Sequence, residues 1–572
     1  MSTQDLAPLE RLLARYEKRD RSQLLPALLD AQSMYGYLPE PVLELVGKYL
    51  HVPMAEIHGV IEFYTMLYAS PTGKTIVRVC TSPICAQAGG ERAFKAACSH
   101  LAVNSDGREG EGNYLVEKVE CLGLCDHAPA ALVGDTPIAR IDADTPDKWI
   151  LNPKEAPLGR IGGEPRWLSG RCGVIEPTDI IAFQEHGGFA GLRRALSEMK
   201  PSEVLQEIKA SGLVGRGGAA FPTGLKWEYT AATETEMRYV VCNADESEPG
   251  TFKDRVLMEG DPFSILEGMT IAAYAIGSQR GFIYVRGEYP RAQRILQEAI
   301  EVAQTAGYLG ENILGNEFSF DVVVRSGAGA YICGEETALF ESIEGKRGYP
   351  RLKPPFPTTH GLFGQPTVIN NVETLCTAAW IIANGHEAYR SLGTEKSPGT
   401  KLFCLSGDVA QPGVYEVPFG TLLKDVLEFA GGVQGELQAV LLGGAAGAFA
   451  GPDQLDLPLS FEGMQAAGLA LGSGVVMAIN QERDLQQTML SLAHFFAHES
   501  CGKCFPCQLG TQRQLEILVK VTEGKASEAD VRALEDIGFT MTHASLCGLG
   551  MTASTAILSA LERWPEMFVN GR

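Results

Sequence analysis

The stretch Ser211–Trp227, SGLVGRGGAAFPTGLKW, decides how the rest of the chain is read. It holds five glycines in seventeen residues, with Arg216 between Gly215 and Gly217. A backbone this free can approach a ligand closely, and its amide groups can converge on an anion. Thr223 and Lys226 follow at the start of a predicted helix, where free N–H groups and the helix dipole favour the same anion, most simply a phosphate. The run lacks the Lys-Ser/Thr ending of the P-loop, and its glycine spacing is not the dinucleotide fingerprint. A mobile surface loop is the alternative that such a run leaves open.

Beyond it, strand candidates Arg238–Cys242, Gly281–Arg286 and Asp321–Arg325 alternate with helical stretches such as Pro290–Ala306, the pattern of an α/β domain with a Rossmann-like sheet. The first strand candidate runs into NADESEPGTFKDR, Asn243–Arg255, where Asn243, Asp245, Glu246, Ser247 and Glu248 crowd together. Carboxylates this close repel unless a ligand or donors offset them. The third runs into GAGAYICGEETALFES, Gly327–Ser342, where Gly334 permits close backbone approach and Glu335 and Glu336 open a helix. A further polar segment is INNVET, Ile369–Thr374. Taken singly, each of these also reads as caps and turns.

Eight of the fourteen cysteines fall into two sets of four. The first is Cys80-x4-Cys85 with Cys121-x3-Cys125. Each pair follows a strand candidate, so loops at adjacent strand ends can bring four thiolates together, the ligand set of a [2Fe–2S] cluster. The second is Cys501-x2-Cys504-x2-Cys507, in HESCGKCFPCQLG, with Cys547 in SLCGLG. Three thiolates on one tight turn plus a fourth suit a cuboidal [4Fe–4S] cluster, and Pro506 is expected to keep that turn from becoming helix. Structural zinc is the alternative for both sets, but zinc sites bring cysteines mainly in pairs two residues apart. The remaining six read as small buried residues.

Residues 1–70 carry helical spacing (Leu9, Leu12, Leu13, Tyr16) and are expected to form a helical bundle; 71–150 alternate strand and helix. NPKEAPLGRIGGEPRW marks a polar linker within 151–180, followed by the α/β unit over 181–400. Short apolar strands between Gly-rich turns fill 401–480, and 481–572 turn helical. The fold class is therefore multidomain α/β.

With 48 basic against 70 acidic residues and a net charge of −22, nucleic acid and anionic membrane surfaces are poor partners. No stretch offers about 18 consecutive apolar residues, and the N-terminal stretch has no signal-type apolar core. A soluble, cytoplasmic protein is expected, and its thiols are expected to be ligands or buried residues rather than disulfides.

Nearly letter for letter, SGLVGRGGAAFPTGLKW is similar to the flavin-binding loop of the NADH-oxidising flavoprotein subunit of respiratory complex I. Its relatives are the diaphorase subunits of NAD-reducing hydrogenases and of NAD-dependent, metal-containing formate dehydrogenases. Ala220 stands where that family usually has Gly. Residues 1–150 resemble the thioredoxin-like [2Fe–2S] subunit that accompanies the flavoprotein, here fused to it, and 401–478 resemble the family's ubiquitin-like β-grasp (SLBB-like) insert, to which no catalysis is assigned.

The resemblance implies an FMN site in which Gly215, Arg216, Gly217, Gly218, Lys226, Asn370, Asn371 and Thr374 face the phosphate side. Asn243, Asp245, Glu246 and Ser247 would hold the ribityl chain and ring edge, with Tyr331, Gly334 and Glu335 lining the ring. The NAD(H) side would use Phe221, Tyr229, Glu248, Glu336, Lys353 and Phe356, with Glu248 the one catalytic candidate. Acidic groups near the adenine ribose, Glu336 above all, favour NAD over NADP because they repel a 2′-phosphate.

The function expected is a fused diaphorase subunit. NAD(H) and FMN exchange hydride, and single electrons pass through the [4Fe–4S] cluster to or from a partner, while the [2Fe–2S] cluster lies on the flavin's other side and stores or tunes electrons. The context KCFPCQLGTQRQ and the complete N-terminal cysteine set look most like the β subunit of a formate dehydrogenase, whose α partner carries molybdenum or tungsten at a pterin. A hydrogenase diaphorase is the runner-up, a complex I-like subunit less so, and a non-catalytic iron–sulfur scaffold the reading from a different class.

Overall fold

The computed structural model describes residues 5–104 and 113–568; parts of the expected 1–70, 71–150 and 481–572 units lie outside them. Four helices, Ala7–Leu13, Leu24–Tyr35, Glu40–Leu50 and Met54–Phe63, form the N-terminal unit. Their leucines and valines at helical spacing (Leu9, Leu13, Leu28, Val42, Val46, Ile57) are all withdrawn from solvent.

A four-stranded sheet follows, built of β1 (Thr75–Cys80), β2 (Tyr114–Val119), β3 (Ala131–Val133) and β4 (Thr136–Ile138) in the order β2-β1-β3-β4. The β1–β2 pair is parallel, so both strands end on the same edge, and the cysteine pairs that follow them meet there.

The strand β5 (Ile161–Gly162) belongs to the segment expected as a linker. It pairs in parallel with β11 (Gly413–Pro418), and the backbone N–H groups of Trp167, Leu168 and Ser169 converge on the buried Glu416 carboxylate at 2.9–3.1 Å. The polar, Pro-containing composition read as linker is thus satisfied by tertiary hydrogen bonds, and the segment is packed rather than free.

Strands β6 (Tyr239–Ala244), β7 (Arg280–Val285), β8 (Asp321–Ser326) and β9 (Thr367–Asn371) make an all-parallel sheet in the order β8-β7-β6-β9. Near-continuous apolar runs in β6 and β7 match a sheet covered on both faces. The chain runs outward from β6 to β8 and then returns to β9 on the other side of β6. The carboxyl ends of β6 and β9 therefore flank the switch point, where parallel sheets bind ligands. Asn243 and Asn371 are register partners at that end.

The strands β10 (Thr400–Gly407), β12 (Leu437–Leu442), β13 (Ala448–Ala450) and β14 (Val475–Asn480) join β11 and β5 in a six-stranded sheet, order β13-β12-β14-β10-β11-β5. Helices Leu485–Glu499, Phe505–Thr522, Glu528–Ala544 and Thr555–Arg563 close the chain. Pro506 does not block a helix as expected. It sits in the first turn of Phe505–Thr522, where the missing N–H has no intrahelical partner to lose, so Cys504 becomes the N-cap and Cys507 lies inside the helix. No helix among the described residues is long and apolar enough to cross a membrane.

Candidate functional site

The Gly-rich loop is closed by its own backbone: Gly215 N–H donates to Phe221 O (2.9 Å) and Thr223 N–H to Leu213 O (2.9 Å), and helix Thr223–Ala232 follows. Gly218, at φ +112°, occupies a conformation that side chains avoid. Ala220 stands at φ +51°, in the left-handed region, so its methyl is carried at a backbone cost.

Gly217 and Gly218 open onto a cavity of about 640 Å³ at the sheet's switch point. Asn243, Asp245, Glu246, Ser247 and Glu248 line it from the loop after β6, Tyr331, Gly334 and Glu335 from the segment after β8, and Asn371 from the end of β9. Asn243 Nδ2 donates to Gly334 O (2.8 Å), joining two of these segments. Ser247 Oγ donates to Asp245 Oδ1 (2.8 Å), whereas Asp245 Oδ2 is buried without a partner. An orphan acceptor in a cavity wall fits a polyhydroxy ligand, and burial pushes the Asp245 carboxyl up to about 7, where it can donate as well as accept. A cavity of this size with few polar anchors has the form of a cofactor site.

Glu246 is in the wall, but its carboxylate points away from the cavity. It takes the backbone N–H of Asp254 (2.8 Å) and Arg255 (2.9 Å) and the Tyr289 hydroxyl (3.1 Å), capping helix Lys253–Gly260. Burial and then the Asp254 charge push it up to about 8. Glu248 accepts from Ala446 N–H (3.0 Å) and the Ser473 hydroxyl (3.3 Å), and burial pushes its carboxyl up to about 7 against those donors. Gly444 makes room for it, since a Cβ there would lie 2.5 Å from the carboxylate carbon.

Four residues expected on the phosphate side hold the loop from behind. Arg216 is buried with its guanidinium 4.4 Å from the Phe419 ring centre and hydrogen-bonded to the Tyr389 hydroxyl. Its backbone N–H donates to Thr374 Oγ1 (2.9 Å), Asn370 Oδ1 accepts from Trp227 Nε1 (2.8 Å), and Gly215 takes part in the closing bridge. Lys226 Nζ donates to Ile369 O (3.0 Å), and burial lowers its pKa although Glu336 lies 3.8 Å away.

Of the residues expected at NAD(H), Glu248 lies in the cavity wall, whereas Glu336, Lys353 and three rings lie on more open surface. Lys353 Nζ bridges Glu335 (2.8 Å) and Glu336 (2.7 Å); burial opposes its charge, but the two carboxylates hold its pKa above the usual lysine value. Phe221, Tyr229 and Phe356 are exposed by 45%, 51% and 56%, unusual for large rings and suited to stacking on a flat ligand. Lys226 lies 5.9 Å from the Phe221 ring centre, tying this surface to the Gly-rich loop.

Several wall residues were not among those expected. Thr251, Lys253 and Asp254 follow the acidic run, and the KDR of Asn243–Arg255 was the available signal. Gly443, Ala446, Gly447, Leu469, Leu471, Gly472 and Ser473 come from the six-stranded sheet's loops, and Leu549 and Thr552 from the C-terminal helices. The Gly-rich turns of 401–480 therefore build a wall of the site, not only its scaffold.

The two cysteine sets converge. Cys80, Cys85, Cys121 and Cys125 are all buried, with Cys121 Sγ and Cys125 Sγ 3.4 Å apart. Donation from Cys125 and then the Arg286 charge lower the Cys121 thiol to about 7 against the cost of burial. Cys501, Cys504, Cys507 and Cys547 line a second, small cavity, with Ser500 Oγ 3.3 Å from Cys507 Sγ. Among the described residues no group of three or more His, Cys, Asp or Glu is closed around a single-ion position; four thiols and no carboxylate are the donor set of an iron–sulfur cluster. Ile332 and Leu549 line both the large cavity and the thiol cavity, so a wall one side chain thick separates them.

A cofactor-sized cavity at a parallel-sheet switch point, one side chain from an all-cysteine site, is the arrangement of a cofactor- and iron–sulfur-dependent oxidoreductase subunit. Comparison with known proteins agrees. Residues 208–380 match the Nuo51 FMN-binding domain, 9–153 the thioredoxin-like [2Fe–2S] ferredoxin, 487–571 the NADH-ubiquinone oxidoreductase-F iron–sulfur binding region and 402–444 the SLBB domain. The F subunit of NADH-quinone oxidoreductase of Aquifex aeolicus is 45% identical over 389 residues, 68% of this chain and 90% of that one. NAD-reducing hydrogenase HoxS subunit alpha of Cupriavidus necator is 35% identical over 98% of this chain and 93% of its own length. A crystal structure of NAD+-reducing [NiFe]-hydrogenase in the air-oxidized state superposes with a TM-score of 0.84 at 34% identity, covering 97% of this chain and 94% of that chain. The chain belongs to the family of NADH-oxidising FMN and iron–sulfur diaphorase subunits, with the [2Fe–2S] domain fused to the flavoprotein.

Proposed function

We propose that this chain is the NAD(H) end of a larger oxidoreductase and exchanges electrons with a separate catalytic subunit. The observation that carries this reading is the shared wall of Ile332 and Leu549, which leaves the flavin cavity and the Cys501–Cys547 set one side chain apart. The bound flavin supplies the conversion between two-electron chemistry at nicotinamide and one-electron chemistry at the clusters. No general acid is needed; the protein's part is to hold two rings face to face and keep water out.

In this reading Asp245, Ser247 and Asn243 hold the ribityl chain, and Asn371 with the amides of Gly217 and Gly218 holds the phosphate. Phe221, Tyr229 and Phe356 stack on the dinucleotide, and the Lys353 bridge fixes Glu335 and Glu336 toward its ribose hydroxyls. Glu248, anchored on Ala446 and Ser473, stands at the reacting end. Arg216 acts through the loop's backbone rather than on the ligand. Phe505 (77% exposed), Leu509 (62%) and Phe539 (68%), on the two helices after Cys504, offer an apolar face beside the Cys501–Cys547 set on which an electron partner can dock.

For that partner the first reading is a molybdenum- or tungsten-pterin subunit that oxidises formate, supported by the KCFPCQLGTQRQ context and by the four N-terminal thiols, all present and gathered at one strand edge. The second is a hydrogen-oxidising partner, favoured by the similarity along nearly the whole chain to the HoxS subunit alpha. Purifying the native complex through a tag on this chain and assaying NAD+ reduction with formate and with hydrogen in parallel separates them. Formate-dependent reduction supports the first, hydrogen-dependent reduction replaces it with the second, and neither activity, with NADH-to-dye reduction intact, removes both.

A further inference from the structure

Behind the flavin cavity runs a chain of buried charges that the hydride chemistry does not use. Lys401, on β10 of the six-stranded sheet, donates from Nζ to Glu373 Oε2 (2.6 Å) and to Leu402 O (2.8 Å). Glu373 Oε1 takes the Leu402 N–H (3.1 Å), and its Oε2 lies 3.1 Å from Lys253 Nζ. Lys253 donates to Asp254 Oδ1 (2.6 Å) and Asn371 Oδ1 (3.1 Å), and Asn371 Nδ2 closes the ring on Asp254 Oδ2 (2.7 Å). Lys253, Glu373 and Lys401 are each 0% exposed. Lys253, Asp254 and Asn371 line the cavity, whereas Lys401 does not.

Arg216 adds its positive charge to the field at Glu373, and its Nε and Nη1 have no partner. Three cations (Arg216, Lys253, Lys401) thus face two carboxylates (Asp254, Glu373), a formal excess of one positive charge. Glu246 approaches from the far side of Lys253 and Asp254, where burial and then the Asp254 charge raise its pKa to about 8, and burial lowers that of Lys401 to about 8 although Glu373 opposes it. Net buried charge is costly unless an opposite charge completes it. The cavity wall that contains three members of the chain is where such an anion can sit.

We propose that Lys401 is a positioning residue for the FMN phosphate: by pairing with Glu373 it keeps Lys253 and Asn371 aimed at the cavity, and it supplies the positive excess that the phosphate completes. This rests on the phosphate lying on the Asn371 side of the cavity. The six-stranded sheet then contributes to flavin affinity through charge as well as through the loops that wall the site.

The test uses the full chain stripped of flavin and titrated with FMN and with riboflavin, which lacks the phosphate, following quenching of flavin fluorescence. For wild type, FMN is expected to bind more tightly than riboflavin. Lys401→Met is expected to weaken FMN about tenfold and riboflavin less than about threefold, while Lys401→Arg keeps FMN within about threefold. Equal weakening of both flavins would make Lys401 merely structural and overturn the proposal, as would unchanged FMN affinity. Should Lys401→Met not fold, Lys401→Gln is read by the same FMN-to-riboflavin ratio. Equal binding of the two flavins by wild type would remove the phosphate placement, and the proposal with it.

Discussion

The Arg255 guanidinium holds Asp126 with Nη2 2.8 Å from Oδ1 and 2.9 Å from Oδ2, and its Nε donates to Gly123 O at 3.0 Å. Asp126 follows a cysteine of the N-terminal set, and Arg255 ends the acidic run that walls the flavin cavity. Arg286 makes a second bridge, donating to Cys121 O (2.6 Å) and Glu246 O (2.9 Å). The [2Fe–2S] domain is thus clamped to the flavin loop through buried, charge-assisted hydrogen bonds.

Breaking that clamp from one side leaves a buried charge. Asp126→Asn is expected to cost on the order of 3 kcal/mol of stability and to lower [2Fe–2S] content. Arg255→Lys is not expected to substitute, because a single ammonium cannot reach both Asp126 and Gly123. Denaturant unfolding and the cluster's visible circular dichroism check both statements.

Glu336 and Lys353 pair at 2.7 Å, and each is expected to act on the coenzyme in its own way. Glu336→Gln removes the charge that repels a 2′-phosphate and leaves Lys353 freer to meet one, so the preference for NADH over NADPH is expected to fall about tenfold or more, in kcat/KM. Lys353→Met is expected to raise the KM for NADH with little change in kcat. Steady-state dye reduction with both coenzymes measures this.

Ala220 carries its methyl at φ +51°, and removing it relieves a left-handed cost of about 1 kcal/mol. Ala220→Gly also loosens the unfolded chain, which offsets part of the gain. The net expectation is a stability change within about 0.5 kcal/mol of zero and unchanged flavin affinity, whereas Ala220→Val is expected to be strongly destabilising. Thermal unfolding of the two variants side by side is the check.

Glu267 is buried with only the backbone N–H groups of Phe189 (3.0 Å) and Leu192 (3.0 Å) as hydrogen-bond donors, and burial pushes its carboxyl up to about 7 from 4.5. The folded state therefore binds the proton more tightly than the unfolded chain. Its contribution to stability is full below about pH 4.5 and is lost as pH rises through about 7. Stability is expected to fall between about pH 4.5 and 7 and to level off above, and Glu267→Gln, which cannot ionise, is expected to flatten part of that slope. Urea midpoints across that range read it out.

What was legible in the sequence was chemistry that demands residue types at fixed spacing. Cys501, Cys504, Cys507 and Cys547 meet around one small cavity because cluster ligands leave no freedom in type and little in spacing. The Gly-rich loop and the Asn243 and Asn371 strand ends were legible for the same reason, and the parallel sheet followed from the strand–helix alternation. Less was legible where a side chain's direction depends on tertiary partners. Arg216 reads as a ligand contact, yet it turns inward to Tyr389 and Phe419; Glu246 reads as part of a crowded acidic site, yet it finds three donors in its own domain. The wall from Gly443 to Ser473 is spelled in residues that any hairpin turn uses, so nothing local separates a turn from a site.

The most direct test of the account is an anaerobic titration of the purified chain with NADH, following flavin absorbance near 450 nm together with cluster electron paramagnetic resonance, in wild type and in Cys504→Ser. The expected result is flavin bleaching in both proteins, with a [4Fe–4S] signal appearing only in wild type and with dye reduction intact in the variant. Absence of flavin bleaching by NADH in the wild-type chain would contradict the account at its centre, and NADH-to-partner electron transfer surviving in Cys504→Ser would contradict the relay through the second thiol set.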